Sequence, residues 1–92
     1  MFFLNIYMWD NKKNRLAFDS YFEQISEHID KFHEALRLSN YIRANYYIKE
    51  IQTHFINNII KLESKTNMTT EQKNIYLSLL SRYDEIKNLP LN

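Results

Sequence analysis

No glycine occurs anywhere in this 92-residue chain, and that absence constrains its fold more than any other feature. Glycine supplies positive φ without steric cost, in hairpin turns, strand bulges and close backbone approaches. A fold of many β-turns is therefore poorly served by this sequence. A few long helices with short links are well served, and the one proline, Pro90, stands near the C-terminal end. Ninety-two residues make a single domain. A chain this short buries only about two-thirds of its unfolded surface, so its core is thin and a partner or second copy would add stability.

Hydrophobic spacing predicts three helices. Phe18, Phe22, Ile25, Ile29, Phe32 and Leu36 recur at alternating spacings of four and three, a heptad seam over residues 15–38. Asp19, Glu23, Glu27, Asp30 and Glu34 form an acidic stripe on the opposite face. Leu38-Ser39-Asn40-Tyr41 interrupts the pattern, with Ser39 or Asn40 suited to capping a second helix over 40–64. So short a link makes the first two helices an antiparallel αα-hairpin. The second helix places Tyr41, Ala44, Ile48, Ile51, Phe55, Ile59 and Leu62 on one face. A second apolar group, Ile42, Tyr46, Ile56 and Ile60, lies about 120° away at α-helical spacing. Thr69-Thr70-Glu71-Gln72 reads as a capping box opening a third helix over 70–89, with a seam of Ile75, Tyr76, Leu79, Tyr83 and Ile86. Pro90 stops it. The expected architecture is all-α: an antiparallel three-helix bundle, an αα-hairpin plus a shorter third helix. Residues 1–14 precede it as an apolar segment and linker, either a short extra helix or a strand of chain lying across the bundle.

Composition removes several classes of function. Without cysteine there are no disulfides, no thiolate catalysis and no Cys-based metal sites, which suits the cytoplasm. A formal net charge of +1 lacks the basic excess of nucleic-acid binders, and Tyr41, Tyr76 and Tyr83 belong to core seams rather than to a basic groove. The apolar run Met1–Trp9 has Lys12, Lys13 and Arg15 after it rather than before, and no Ala-x-Ala follows, unlike a secretory signal. It is about half of what a membrane span needs. The expectation is a soluble protein with no membrane span. Met8 is an alternative start. Heavy use of Asn, Ile, Lys and Tyr fits an AT-rich bacterial, plasmid or phage gene.

No catalytic, cofactor-binding or metal-binding constellation emerges. His28 and His33 are five residues apart and read as surface histidines. Asp30-Lys31-Phe32-His33 has the carboxylate-x-x-His spacing of di-iron bundles, but such a site needs two of these motifs and two more carboxylates. The acidic stripe reads as a solvated face, or else as a dock for a basic segment. Without glycine there is no Gly-rich phosphate loop. The chain is therefore expected not to be an enzyme and to use no cofactor.

What stands out is a surplus of apolar side chains. Phe2, Phe3, Ile6, Tyr7 and Trp9, with Ile42, Tyr46, Ile56 and Ile60 on the second helix and Leu77 beside Leu80 on the third, exceed what three short helices usually bury. Two uses fit them. The N-terminal run covers the second-helix stripe, or these residues together bind another protein or a second copy of the chain.

From Phe32 onward a further pattern appears. His33-Glu34-Ala35-Leu36-Arg37-Leu38-Ser39-Asn40-Tyr41 closes one helix and opens a long second one. The polar link Met68-Thr69-Thr70-Glu71-Gln72-Lys73 leads to a helix with Leu79-Leu80 and Tyr83-Asp84-Glu85-Ile86. Over about 60 residues this resembles the small helical chaperones of flagellar and type III secretion export. The resemblance implies an αα-hairpin and shorter helix that hold an amphipathic helix of an export substrate until secretion. The usual acidity of that family is missing, and no binding residue carries over from it by name. Helical immunity proteins of bacteriocin systems and phage-encoded inhibitors of host enzymes have the same size and lack of motifs. They would bind a folded target rather than a lone helix.

Overall fold

A computed structural model describes the backbone of residues 2–90 and the side chains of residues 13–90. It is an all-α three-helix bundle. Helix α1 spans Phe2–Arg37, α2 Tyr41–Glu50, α3 Asn57–Glu63 and α4 Thr70–Lys87. Between α2 and α3 the residues Ile51–Ile56 form a π-helical segment. Helical backbone angles persist at Glu50, Ile51, Ile56 and Asn57, so α2, the π segment and α3 make one continuous rod, the second helix of the bundle.

Helix α1 starts well before residue 15. Nothing between Asp10 and Asn14 breaks a helix, there being neither glycine nor proline, so the α-helix runs back to Phe2 in place of the expected segment and linker. At 1.5 Å per residue its 36 residues span about 54 Å, which sets the 58 Å long axis of the molecule. The 23-residue second helix is only about 35 Å long.

The seam of α1 supplies the core. Phe18, Phe22, Ile25, Ile29 and Phe32 are buried together with Ala44, Ile51, Ile59, Leu79, Tyr83 and Ile86 from the other helices. Full burial of one such Phe or Ile contributes about 1.5–3 kcal/mol. Leu36, the last seam position, is half-buried, and its neighbour Ala35 is buried instead. Ala35 and Ala44, both buried, flank the tight link.

That link is a Schellman turn built without glycine. Asn40 N–H donates to the Ala35 carbonyl at 2.8 Å and Ser39 N–H to the Leu36 carbonyl at 2.9 Å. Ser39 takes the left-handed conformation, φ 56°, that glycine usually fills. Asn40, not Ser39, is the N-cap of α2, its side chain accepting from the Arg43 N–H at 3.1 Å.

At the other end the capping box of α4 forms as expected, and its glutamine does more. Gln72 Oε1 accepts from the Thr69 N–H, and the Thr69 hydroxyl accepts from the Gln72 N–H. Gln72 Nε2 then donates to the Arg15 carbonyl at 2.8 Å and to Asp19 Oδ1 at 3.0 Å, so a buried side chain clasps α4 to α1. Phe22 stacks on Tyr76 and Arg82 approaches Asp30, so α4 packs parallel to α1, and the second helix runs antiparallel to both. The phenol of Tyr83, its pKa raised by burial, donates to Gln52 Oε1 at 2.6 Å and ties α4 to the π segment.

Two other expectations fail. Tyr41 and Ile75, placed on core seams by spacing, are exposed. His28 is not a surface histidine. It is half-buried, its Nδ1 3.0 Å from the Gln24 carbonyl, its ring edge-on to Tyr47 and Phe55.

Candidate protein-interaction face

The structure separates the residues expected to meet a partner. Phe2, Phe3, Ile6, Tyr7 and Trp9 have side chains outside the described residues. Ile42 is 87% exposed, Tyr46 54%, Ile60 56% and Leu77 57%. Ile56 is only 8% exposed and belongs to the core, which corrects its assignment to the outer stripe. The cause is the π segment. In a π turn the backbone bonds from residue i to i+5, so Ile51 and Ile56 come to share one face where α-helical spacing would part them.

The stripe is therefore not continuous. Ile42 and Ile60 are 18 residues apart, about 27 Å along the rod. Polar side chains occupy the outer surface between them. The Tyr46 hydroxyl donates to Glu50 Oε1 at 2.6 Å, and Glu50 Oε2 lies 2.9 Å from His54 Nε2. The neighbouring carboxylate raises the Tyr46 phenol pKa, so the hydroxyl stays a donor. Together these bonds hold the Tyr46 ring in place on the surface.

The apolar surface gathers instead at the hairpin end. Leu38 and Tyr41, absent from the sequence-based set, are exposed there beside Ile42 and Tyr46. Spacing hid both. Leu38 lies in the link, and Tyr41 lies on an α-helical extrapolation of the core face. Two shallow concavities flank this end. One is lined by Asn40, Ile42, Arg43 and Tyr46. The other is lined by Lys31, Glu34, Ala35, Leu38, Asn40, Arg43 and Tyr47. Asn40 and Arg43 are common to both, so they form the ridge between them, and Arg43 is its charged member. The Arg43 Nε donates to the Tyr47 hydroxyl at 3.1 Å. Nothing in sequence periodicity marks Arg43, which falls on the polar strip of the helix.

A different surface surrounds Leu77. It shares a shallow groove on α4 with Leu80, Ser81, Asp84, Glu85 and Asn88. Leu80 is half-buried against the core, and Asp84 pairs with Lys87 at 2.9 Å. This groove is more polar and acidic than the hairpin end.

The acidic stripe of α1 is exposed, and three of its five members are engaged: Asp19 with Gln72, Asp30 with Arg82 at 3.7 Å, and Glu34 with Arg37 at 2.6 Å. The Arg37 guanidinium holds the Glu34 carboxyl below the usual carboxylate range. Among the described residues no three His, Asp or Glu side chains converge on a metal position, and no helix is long and apolar enough to cross a membrane. Comparison with family models, curated proteins and solved structures finds no match for this chain.

Proposed function

We propose that this chain is a non-catalytic protein-binding module, a small cytoplasmic chaperone or adaptor that holds an amphipathic helix of its partner in a bacterial secretion-type system. One observation carries the reading. Ile42, a large aliphatic side chain 87% exposed, shares a concavity with Tyr46, and Leu38 and Tyr41 are also exposed at this end of the bundle. Clusters of exposed apolar groups mark interaction surfaces, where isolated ones do not. The mechanism is burial: a partner's apolar helix face covers surface that this short chain leaves open, in the manner of helix-in-groove recognition.

A second reading has its own support. The Tyr46–Glu50–His54 chain of hydrogen bonds puts ordered polar groups beside the apolar cluster. A mixed surface of that kind suits a folded target, as for an immunity protein or a phage-encoded inhibitor.

Site-specific crosslinking in the producing cell tests both. A photo-crosslinking residue at position 42 should give one discrete adduct, absent when it stands at exposed Glu23 on the acidic stripe of α1, 15 residues from Leu38. An adduct with an export substrate or other helix-bearing client supports the adaptor reading. An adduct with a folded enzyme or toxin supports the second. Equal labelling from positions 42 and 23 would sink the interaction face. An adduct with the chain itself, matched by a dimer mass in light scattering, would identify the partner as a second copy.

A further inference from the structure

We infer that the hairpin end reads a carboxylate set between two apolar side chains, so that its partner segment is an acidic amphipathic one. The inference rests on the binding-module reading and specifies the partner's chemistry.

Three observations converge on Arg43. First, it shares with Asn40 the ridge between the two concavities, with Ile42 and Tyr46 on one side and Ala35, Leu38 and Tyr47 on the other. A segment lying across this end would place one apolar side chain in each hollow and whatever lies between them on the guanidinium. Second, the side chain is already oriented. Its Nε is held by the Tyr47 hydroxyl at 3.1 Å, and the guanidinium carbon sits 6.0 Å from the centre of that ring. This arrangement leaves the terminal nitrogens for an outside acceptor. Third, no carboxylate among the described residues forms an ion pair with Arg43, whereas Arg37 and Arg82 each have one.

The surrounding charge favours an anion. Lys31 and Arg43 line the second hollow with one carboxylate, Glu34, and that carboxylate is already bonded by Arg37. Glu50, the acid nearest on α2, is taken up by Tyr46 and His54. A guanidinium meets a carboxylate with two parallel hydrogen bonds, which fixes geometry as well as affinity. Arginine and tyrosine at the centre of an apolar cluster are also the residues that dominate binding energy at protein interfaces.

The test uses the full chain and a phage-displayed library of random 12-residue peptides. Enriched peptides should share an acidic residue between two apolar positions. By fluorescence anisotropy, Arg43→Gln should weaken the best peptide at least tenfold, and so should changing the peptide's acid to its amide. The two changes together should cost little more than either alone, because they remove the same contact. Arg43→Lys should recover only part of the loss.

Fully additive losses, or enriched peptides without an acid, overturn the inference. If Ile42→Asp still abolishes their binding, the interaction face itself stands. Peptides that bind Ile42→Asp as well as the parent chain, or no enrichment over that variant, would sink both. A mass in light scattering that grows with concentration and is lost in Arg43→Gln would give the face to a second copy and overturn the assignment of an outside segment.

Discussion

Ile42 and Ile56 belong to the same apolar stripe of the second helix, yet one is almost fully exposed and the other is core. Fourteen residues separate them, and an uninterrupted α-helix would set them within about 40° of each other. The rod is interrupted. Before the π segment the core face is Ala44 and Ile48; Ile51 and Ile56 are its two ends, and Ile59 continues the core face beyond it. The π turn accommodates one residue more than an α-helix would, and everything beyond it is rotated by about one residue's turn. The half before the insertion is left with an outward apolar face. In the other half Ile56 turns inward, while Ile60 stays exposed. A stripe that reads as one surface becomes two, with different roles.

The largest expected effect separates these halves directly. Ile56→Asp places an unpaired charge in the core and should cost about 4 kcal/mol or more, leaving the chain unfolded by circular dichroism at room temperature. Ile42→Asp should keep its helicity and change stability by less than about 0.5 kcal/mol, as surface substitutions do. If Ile42→Asp also unfolds the chain, the exposed cluster is structural and the contrast between the halves is wrong.

Single-residue deletions ask whether the insertion itself makes the difference. Deleting Thr53 from the π segment would leave Ala44, Ile48, Ile51, Ile56 and Ile59 at spacings of four, three, four and three, a regular α-helical seam. That variant should fold with stability within about 1 kcal/mol of the parent, since an exposed residue is lost and no core residue is displaced. Deleting Lys49, also exposed, pulls Ile51 or the Ala44–Ile48 pair out of the core and should cost about 2–4 kcal/mol, comparable to truncating a buried isoleucine. Urea titrations of the two variants decide it. Equal losses would mean that the helix does not store its extra residue at 51–56.

These pairs also show how much was legible beforehand. The seam of α1 and the capping box at Thr69–Gln72 could be read because each is a local rule: a fixed spacing, or two side chains three residues apart. The three-helix order followed from them. The π segment could not be read, because extrapolating α-helical spacing through 51–56 assumes the regularity that fails there. The error then passed to Ile56. Arg43 went unnoticed for another reason. Its setting depends on Ala35 of α1 and Leu38 of the link, which only the folded hairpin brings near. The tertiary part of Gln72's role is equally non-local, since Arg15 and Asp19 lie more than 50 residues away.

Gln72 marks the end of the bundle opposite the exposed cluster, and its removal should sharpen the contrast between the two ends. Gln72→Ala deletes half of the capping box and both bonds to α1, leaving Thr69 N–H without its acceptor. The expected loss is about 1–3 kcal/mol, seen as a lower urea midpoint. Peptide or partner binding at the hairpin end should be unchanged in the folded variant. A change there would mean that the two ends are coupled through α1.

The smallest effect concerns the link that carries the exposed cluster. Ser39 sits at φ 56°, where an L-residue costs about 1–2 kcal/mol because its Cβ crowds the following carbonyl. Glycine removes that crowding but is more flexible when unfolded, and this offsets part of the gain. Ser39→Gly should therefore stabilise the chain by about 0.5–1 kcal/mol. For a domain of this size that corresponds to a rise in Tm of a few degrees, roughly 4–8 °C per kcal/mol. Both backbone bonds of the turn, from Asn40 to Ala35 and from Ser39 to Leu36, are kept, so the positions of Leu38, Tyr41 and Ile42 should not move. A stabilised variant with unchanged partner binding would show that the turn only joins the helices. A stabilised variant that binds more weakly would show that the strained serine turn helps to hold the exposed cluster in its binding arrangement. A fall in Tm would mean that Ser39 is not in the left-handed conformation in solution, and that the hairpin closes by a different turn.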